Sequence, residues 1–340
     1  MNNKQQLGQF FTTNYTYILQ NFNIPNNVES IVEPFAGNGD LLNFIDKDKY
    51  DISCFDIDPK QSYITQRDTL MDPPDITNKF VITNPPYLAR NKSEDKTVFN
   101  HYKTNDLYKC FIKILTDSEC VGGILIVPLN FFCSVRKQDI ELRTNFMKKF
   151  NIDFINIFEE KVFDDTSYTV CSFQFSTGPR GIPCPVIIYP SKKEIEVEFN
   201  AENNYTVGGE IYKLSQTEQY TITRATADNK DPGTLTNILL KCIDDGTHNK
   251  IGCKIDKQYI DTTPNLSARS YATLVIYPSI TNTQQEDLCE KFNKYLNDMR
   301  DKYYSLFLTN FRESTATMAR KRISFGLAFK IINHLLRSHS

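Results

Sequence analysis

The chain has 340 residues, of which 40% are hydrophobic and 24% charged, and its formal net charge is −2. This composition is typical of a globular protein and excludes general disorder, while the length favours two domains over one. No apolar run is long enough to span a bilayer, and the first residues lack the apolar region of a signal peptide, so we expect an intracellular protein without a membrane partner.

The nine cysteines are scattered and lack CxxC or Cys/His spacing, so we expect reduced thiols, no disulfide framework and no metal site. The charge is distributed unevenly along the chain. Residues 1–180 carry a net charge of −4, residues 181–340 carry +2, and residues 300–340 carry +6. An acidic part followed by a basic part indicates catalysis in one region and contact with a polyanion in another.

Short apolar runs alternate with helix-like segments from Val28 to about Phe175. Because this alternation is typical of open, mostly parallel sheets covered on both faces, it predicts an α/β fold with ligands beyond the carboxyl ends of the strands. The predicted strands span residues 30–34, 52–56, 80–84, 124–128, 152–158 and 168–175, and the predicted helices span residues 40–45 and 107–115.

A Gly- and Pro-rich stretch at residues 176–183 predicts a domain boundary. We therefore divide the chain into residues 1–180 and 181–340. The second part is predicted to be an α+β domain, with a helical pattern from about Gln284 to the end that breaks near Ser314. Its short β-like runs span residues 186–189, 195–199, 220–222 and 272–277.

The first predicted strand ends in a glycine turn, Glu33 to Asp40 (EPFAGNGD). Two glycines alone favour an ordinary strand-to-helix turn. Asp56 changes this interpretation, because an acid that ends the second strand, about 20 residues after such a turn, accepts hydrogen bonds from a ribose. With the third acid, Asp68, the pattern indicates an adenosine-type ligand across neighbouring strand ends. A phosphate ligand fits less well, since the turn lacks the third glycine of GxGxxG.

The segment Asn84-Pro85-Pro86-Tyr87 follows the third predicted strand. A chance match somewhere in the chain has a probability of a few in a thousand at about 5% abundance per residue, and a plain turn requires neither Asn nor Tyr. The prolines fix the backbone, so the Asn84 side-chain oxygen and the Pro85 carbonyl can both accept hydrogen bonds from one amine. Tyr87 offers a flat face on which a base can stack.

In this order the motifs resemble those of N6-adenine DNA methyltransferases of the gamma arrangement, in which the cofactor motifs and NPPY precede the target-recognition domain. Residues 7–13 (LGQFFTT) are similar to the family's first cofactor motif, with Thr13 where proline is usual. Residues 106–111 and 123–128 are similar to the helix and the strand that follow NPPY. The resemblance covers residues 7–178 and implies a Rossmann-like S-adenosylmethionine-dependent methyltransferase sheet with a C-terminal α+β target-recognition domain.

The resemblance also implies a role for individual residues. Around S-adenosyl-L-methionine, Asp56 would bind the ribose, Asp68 the adenine amine, and Glu33 and the 36–39 turn the methionine end. Asn84, Pro85, Pro86 and Tyr87 would form the catalytic loop. The full predicted cofactor set is Gln9, Phe11, Thr12, Glu33, Pro34, Ala36, Gly37, Gly39, Asp56, Ile57, Asp68, Leu70 and Phe111.

A second aromatic residue is expected to stack on the flipped base opposite Tyr87. Phe175 is our choice, with Tyr168 and Phe173 as rivals, and a plain core position is equally compatible with Phe175. In the basic C-terminal part, the residues predicted to contact DNA, or else to lie on a solvated helix face, are Arg312, Arg320, Lys321 and Arg322.

The predicted activity is therefore site-specific methylation of adenine N6 in double-stranded DNA, by a monomer with access to DNA inside the cell. A restriction endonuclease that shares the target site is an additional candidate partner. NPPY also occurs in enzymes that methylate a glutamine amide and in some RNA methyltransferases, and RNA adenine remains the harder alternative to exclude. A catalytically inactive DNA-binding module would be expected to have lost NPPY or the glycine turn, and both are intact.

Overall fold

The computed structural model describes residues 7–163, 166–178, 183–245, 250–313 and 319–337, without the side chains of residues 310–313 and 319. The chain divides into two units, Met1–Tyr205 and Thr206–Ser340. No helix within the described ranges has both the length and the apolar character that a bilayer-spanning segment needs.

A nine-stranded sheet forms the centre of the first unit, in the order β3-β2-β1-β4-β5-β7-β6-β8-β9. Strands β1 to β5 run parallel, and β7 is antiparallel to both of its neighbours. The strands are β1 Ser30–Glu33, β2 Asp51–Asp56, β3 Thr65–Gln66, β4 Phe80–Thr83, β5 Gly122–Pro128, β6 Asn151–Phe158, β7 Val170–Ser176, β8 Cys184–Tyr189 and β9 Lys193–Val197.

The central strands are buried over their whole length, which explains why they are continuous apolar runs. Every residue of β4 (FVIT) and β5 (GGILIVP) is buried, as parallel strands covered on both faces require. The helices of this unit are α1 Tyr15–Ile18, α2 Thr97–Tyr102, α3 Leu107–Asp117, α4 Asn130–Cys133 and α5 Lys137–Lys149, with a 3₁₀ helix at Asp40–Phe44. The predicted α/β class and mostly parallel sheet are confirmed.

The second unit contains a four-stranded antiparallel sheet, β10-β14-β11-β13, and a three-stranded one, β12-β16-β15. The long helix α6 begins at a capping box, in which Thr281 and Gln284 each bind the backbone N–H of the other. The elements are β10 Thr221–Arg224, β11 Leu235–Lys241, β12 Ile243–Asp244, β13 Gly252–Ile255, β14 Tyr271–Tyr277, α6 Asn282–Tyr303, β15 Thr309–Glu313, β16 Ala319–Arg322 and α7 Phe325–Leu336, with a 3₁₀ helix at Gly209–Lys213.

Two predictions about the second half of the chain need correction. The boundary predicted between residues 180 and 181 lies inside the first unit, because β8 pairs in parallel with β6 and β9 pairs with β8. The helical pattern predicted from Gln284 to the end is interrupted by two strands, β15 and β16, which pair with each other, and β16 also pairs with β12. Arg312, Arg320, Lys321 and Arg322 therefore lie on strands and not on a helix.

Candidate active site

A cavity of about 220 Å³ opens at the carboxyl ends of β1, β2 and β4. The parallel direction of these strands brings their ends to one edge of the sheet, which is where ligands of such sheets bind. The predicted residues that line the cavity are Gln9, Phe11, Thr12, Ala36, Gly37, Asp56, Ile57, Asp68, Leu70, Asn84 and Pro86. Residues from separate parts of the chain thus meet at the predicted place.

The glycine turn after β1 closes one wall of this cavity. Gly37 and Gly39 have φ values of +54° and +83°, which favour glycine. A Cβ on Gly37 would lie 3.0 Å from the Phe11 ring, so the turn also needs glycine for this close approach. The Gly37 N–H donates to Asp56 Oδ2 at 2.8 Å, which ties the turn to the end of β2.

Asp56 is only 4% exposed, and both of its carboxylate oxygens accept hydrogen bonds. Oδ2 accepts from the Gly37 N–H, and Oδ1 accepts from the Asp58 N–H at 2.8 Å and from Gln9 Nε2 at 3.3 Å. Two short bonds from backbone N–H groups fix the carboxylate, whereas the long bond from a side chain is the one that a ligand can replace most easily. Asp56 is therefore a rigid acceptor at the cavity wall.

Asp68 occupies the next wall of the cavity. Its Oδ1 accepts from the backbone N–H groups of Leu70 and Met71, at 3.1 and 3.3 Å. The Leu70 carbonyl in turn accepts from the Tyr102 hydroxyl at 2.8 Å, which anchors the segment to α2. The acid and the apolar Leu70 side chain are thereby positioned together, as a site for a flat, hydrogen-bonding ring requires.

Glu33 lies behind the cavity wall and is fully buried. Its Oε1 accepts from the Thr83 hydroxyl at 2.5 Å and from the Phe35 N–H at 3.3 Å. Its Oε2 has no hydrogen-bond partner among the described residues. Burial raises the pKa of this carboxyl from 4.5 to about 8, against the opposing effect of the Thr83 hydrogen bond. Glu33 is therefore mostly protonated at neutral pH in the free protein.

This pKa predicts a pH-dependent loss of stability. The unfolded chain ionises Glu33 at about 4.5 and the folded chain only at about 8, so its contribution is complete below 4.5 and is lost as the pH rises to 8. Each pH unit in that window costs at most ~1.4 kcal/mol. Glu33→Gln, which stays neutral, should gain stability relative to the wild type between pH 5 and 8 in urea unfolding, whereas Glu29→Gln, at an exposed position, should not. A constant difference across this range for Glu33→Gln would contradict the assignment.

The NPPY loop adjoins the cavity directly after β4. Asn84 Nδ2 donates to the Phe10 carbonyl at 2.9 Å and to Thr12 Oγ1 at 3.1 Å. The Tyr87 hydroxyl lies 2.5 Å from Asn84 Oδ1 and 2.7 Å from the Ile126 carbonyl, and its single proton can be donated to only one of them. The Asn84 amide is therefore oriented with its oxygen toward Tyr87.

The chain after NPPY is held by the start of α3. Asp106, at the N-cap position of α3, accepts from the Leu88 N–H at 3.1 Å, and the Leu88 carbonyl accepts from the Leu107 N–H at 3.2 Å. The Tyr108 ring packs edge-on against Tyr87, with ring centroids 6.1 Å apart. Residues 106–111, which resemble the family's helix after NPPY, thus fix the position of Tyr87 and Leu88 through hydrogen bonds and ring packing.

Several predicted residues do not line the cavity. Glu33, Pro34, Gly39, Pro85 and Tyr87 belong to the lining segments but lie outside the lining itself. Phe111 is 1% exposed and packs edge-on against the Phe35 ring, with centroids 4.9 Å apart.

The structure contradicts the prediction that Phe175 stacks on the base. Phe175 pairs with Gly123 at the start of β5, whereas the carboxyl end of β5, Pro128, pairs with Val170. Phe175 is thus five residues, or about 17 Å, from the site edge of the sheet. Its ring is fully buried among Phe146, Phe150 and Phe173. The rival Phe173 is also fully buried, and Tyr168 is the one near that edge.

Other lining residues were missed by the sequence analysis. Phe10 was not predicted, although it lies between two predicted cofactor residues, Gln9 and Phe11. Its ring stacks on Tyr87, with centroids 5.1 Å apart. Val98 and Phe99 come from α2, and Ser93 and Asp95 from the loop before it, a segment with no recognisable motif. Only the apolar spacing around α2 could have indicated its position. Among the described residues, no group of three or more His, Cys, Asp or Glu side chains is arranged to hold a metal.

Residues 43–163 match the model of a protein family described as Eco57I restriction-modification methylase. This match, over about a third of the chain, includes Asp56, Asp68 and the NPPY loop, and it confirms the resemblance to restriction–modification methyltransferases. No match was found among curated proteins.

Solved structures with a similar fold include a modification subunit of a putative type I restriction enzyme from Vibrio vulnificus YJ016, at 15% identity and a TM-score of 0.42, covering 55% of this chain and 49% of that one. The type IIG restriction endonuclease BpuSI is similar at 16% identity and a TM-score of 0.42, covering 69% and 38%. The M protein of the type I restriction enzyme EcoKI is similar at 12% identity and a TM-score of 0.40, covering 97% and 70%. The aligned region spans about half the length of the first of these relatives.

Proposed function

We propose that this protein is a site-specific DNA methyltransferase that transfers a methyl group from S-adenosyl-L-methionine to the N6 amine of adenine in double-stranded DNA. The observation that carries the proposal is the position of the NPPY loop beside a cavity that also contains Asp56 and Asp68. The family match over residues 43–163 supports the same activity. Neither this match nor the similar structures support glutamine or RNA methylation.

The cavity residues fit an S-adenosylmethionine molecule. Asp56 accepts hydrogen bonds from the ribose hydroxyls in place of Gln9, and Asp68 accepts from the adenine amine. The unpartnered Oε2 of Glu33, behind the 36–39 turn, favours a positively charged group nearby, because a cation stabilises the ionised carboxylate. When bound, the cofactor supplies an electrophilic methyl group on a sulfonium sulfur.

The NPPY loop acts on the target amine. Adenine N6 is inaccessible in the duplex, so the nucleotide must flip out, at a cost of a few kcal/mol. Stacking on an aromatic face offsets ~1–3 kcal/mol of that cost. Asn84 Oδ1 and the Pro85 carbonyl accept hydrogen bonds from the amine and direct its lone pair toward the methyl group. Fixed acceptors and proximity provide the catalysis, and the amine proton leaves after transfer, so no general base is needed.

The second unit is proposed to bind the DNA and to choose the target sequence. Arg320 is exposed, Arg322 is partly exposed, and Lys321 between them is 6% exposed because side chains alternate along a strand. The Lys321 ammonium lies 5.0 Å from the centroid of the Tyr304 ring. This burial is incompatible with Lys321 as a phosphate contact. Arg312 lies opposite Arg320 in the strand register, and its side chain is outside the described residues.

Arg269 joins Arg320 and Arg322 in this region. The backbone carbonyl of Cys242 accepts from the Ile323 N–H at 3.2 Å, and the backbone N–H of Cys242 donates to the Ser270 carbonyl at 2.8 Å. Ile323 follows Arg322 and Ser270 follows Arg269, so these bonds bring the two arginines close together in the fold. Partial burial, and then the positive charges of Arg320 and Arg269, lower the pKa of Arg322. Three neighbouring guanidinium groups repel one another unless an anion binds, and this favours contact with DNA phosphates.

Replacing Arg269, Arg320 and Arg322 together with alanine should weaken duplex binding at low salt and make its salt dependence shallower. The log–log salt slope should fall by about 0.9 for each phosphate that the variant no longer neutralises. Arg337→Ala is a matched control, because this exposed arginine lies at the other end of α7, about 18 Å from Phe325. An unchanged slope in the triple variant would place DNA recognition elsewhere in the second unit.

We further propose that the protein acts as a monomer, beside a separate restriction endonuclease that shares its target sequence. Methylation of host DNA by this protein would then protect the target sites from cleavage by the endonuclease. A sedimentation measurement showing a stable dimer at working concentration would contradict the first half of this proposal. Failure of the protein's own methylation to block cleavage by a neighbouring endonuclease would contradict the second half.

A further inference from the structure

The segment Gly8–Thr12 lies directly across the NPPY loop. The Tyr87 N–H donates to the Gly8 carbonyl at 3.0 Å, and Asn84 Nδ2 donates to the Phe10 carbonyl and to Thr12 Oγ1. Gly8 has a φ of +65°, and a Cβ there would lie 2.9 Å from the Tyr87 carbonyl carbon and oxygen. The close approach of the two chain segments therefore depends on glycine at this position.

Phe10 covers the aromatic face that the proposed reaction needs. Its ring lies 5.1 Å from the Tyr87 ring, at an interplanar angle of 29°, and 6.0 Å from the Phe163 ring. Tyr87 is left only 4% exposed, and its hydroxyl lies 2.5 Å from Asn84 Oδ1. A base cannot stack on Tyr87 while Phe10 stays in this position, because Phe10 covers one face of the ring and the residue as a whole is only 4% exposed.

The same segment also lies against the proposed cofactor residues. Gln9, which precedes Phe10, donates to Asp56 at 3.3 Å, and Phe11, which follows it, packs against Gly37. A ligand whose hydroxyls bind Asp56 competes with Gln9 for the carboxylate. Occupation of the cavity therefore removes one of the interactions that hold Phe10 in place.

We propose that Phe10 closes the base-binding site in the free protein and moves away when the cofactor binds, so that base binding follows cofactor binding. The proposal rests on the proposed function, because it takes the NPPY loop as the base site and Asp56 as a cofactor ligand. Phe10 is then the residue that prevents unproductive capture of a base before a methyl group is available. It acts through displacement and takes no part in the transfer itself.

The first test measures base binding by the full chain in the absence of a methyl donor. The probe is 2-aminopurine deoxyribonucleoside, whose fluorescence is quenched on stacking, with or without S-adenosylhomocysteine. The wild type should bind the probe at least about fivefold more weakly without S-adenosylhomocysteine than with it, which is the lower limit expected for stacking on one aromatic residue. Phe10→Ala should bind the probe equally well in both conditions.

Two further variants serve as controls. Phe10→Tyr keeps the ring and should behave as the wild type, and Phe154→Ala removes a half-buried ring from β6, away from the site, and should keep the wild-type dependence. If Phe10→Ala requires S-adenosylhomocysteine as strongly as the wild type, the proposal is overturned. If S-adenosylhomocysteine binds neither protein in calorimetry, the proposed function fails, and this proposal with it.

A measurement on the unmodified chain removes any dependence on the folding of a variant. The Tyr87 N–H is bonded to the Gly8 carbonyl, and Pro85 and Pro86 have no N–H, so a peptide spanning residues 84–88 reports mainly on Tyr87 and Leu88. Hydrogen exchange in this peptide should become faster when S-adenosylhomocysteine binds. Slower exchange there, with binding demonstrated, would mean that the cofactor tightens the segment and would overturn the proposal.

Discussion

Asn84→Ala should abolish methyl transfer, lowering the single-turnover rate at least about 100-fold, because removing a fixed hydrogen-bond partner of the reacting group costs that much in comparable sites. In the proposed mechanism, Asn84 Oδ1 is one of two acceptors for the target amine, and the Pro85 carbonyl alone cannot direct the lone pair. The loss should appear in the chemical step, with cofactor affinity changed by less than about threefold.

Asn91→Ala is the matched control for this variant. Asn91 is exposed in the loop that follows NPPY and lies outside the cavity lining, so the same deletion of an amide should leave the rate unchanged. Calorimetry with S-adenosylhomocysteine checks that the cavity is intact, since Asn84 also holds Phe10 and Thr12 in place. A single-turnover rate for Asn84→Ala close to that of the wild type would remove this residue from the mechanism.

The second large effect is expected at Asp56, whose loss should weaken cofactor binding by at least about tenfold. The two proposed charge-assisted hydrogen bonds to the ribose, each worth ~1.5–3 kcal/mol before compensation, are removed in Asp56→Ala. The variant also frees the Gly37 N–H, so the glycine turn loses one of its attachments to β2 and keeps the bond from the Ala36 N–H to the Phe55 carbonyl. Asp56→Asn keeps the volume but turns an NH₂ group toward one of the two backbone N–H donors, and it should weaken binding as well.

Asp58→Ala is the control that distinguishes loss of the proposed ribose contact from a general loss of negative charge near the cavity. Asp58 lies two residues further along, pairs with Lys60 at 2.5 Å and is outside the cavity lining. Its replacement should leave the affinity for S-adenosylhomocysteine unchanged in calorimetry. Equal affinities for Asp56→Ala and the wild type would show that the acid at the end of β2 is not a cofactor ligand.

The strands of the first unit could be predicted because burial on both faces requires continuous apolar runs, such as Ile124 to Val127. The position of the site followed from the order of the predicted strands, since Asp56 ends β2 and Asn84 directly follows β4. What could not be predicted was pairing between distant segments. Composition at residues 176–183 indicated a boundary, but β8 crosses it to pair with β6, an interaction that no local pattern encodes.

The errors at Phe175 and at the C-terminal hairpin have one physical cause. An aromatic residue in a strand can face a site or the core, and only the register of β7 with β5 places Phe175 at the far end of the sheet. In the same way, residues 309–322 have no strong helical or strand period, and strand pairing decides the structure of β15 and β16, of which β16 lies between β12 and β15. The stacking of Phe10 on Tyr87 joins residues 77 positions apart and was equally hidden.

Adenine methylation of DNA can be measured by expressing the full chain in cells that lack their own adenine methyltransferases and sequencing the modified bases in their DNA. We expect N6-methyladenine at one short recurring sequence, absent from cells that express Asn84→Ala and present in those that express Asn91→Ala. Unmodified DNA from cells that contain the folded wild-type protein, or methyl groups found only in RNA or on protein, would contradict the proposed function.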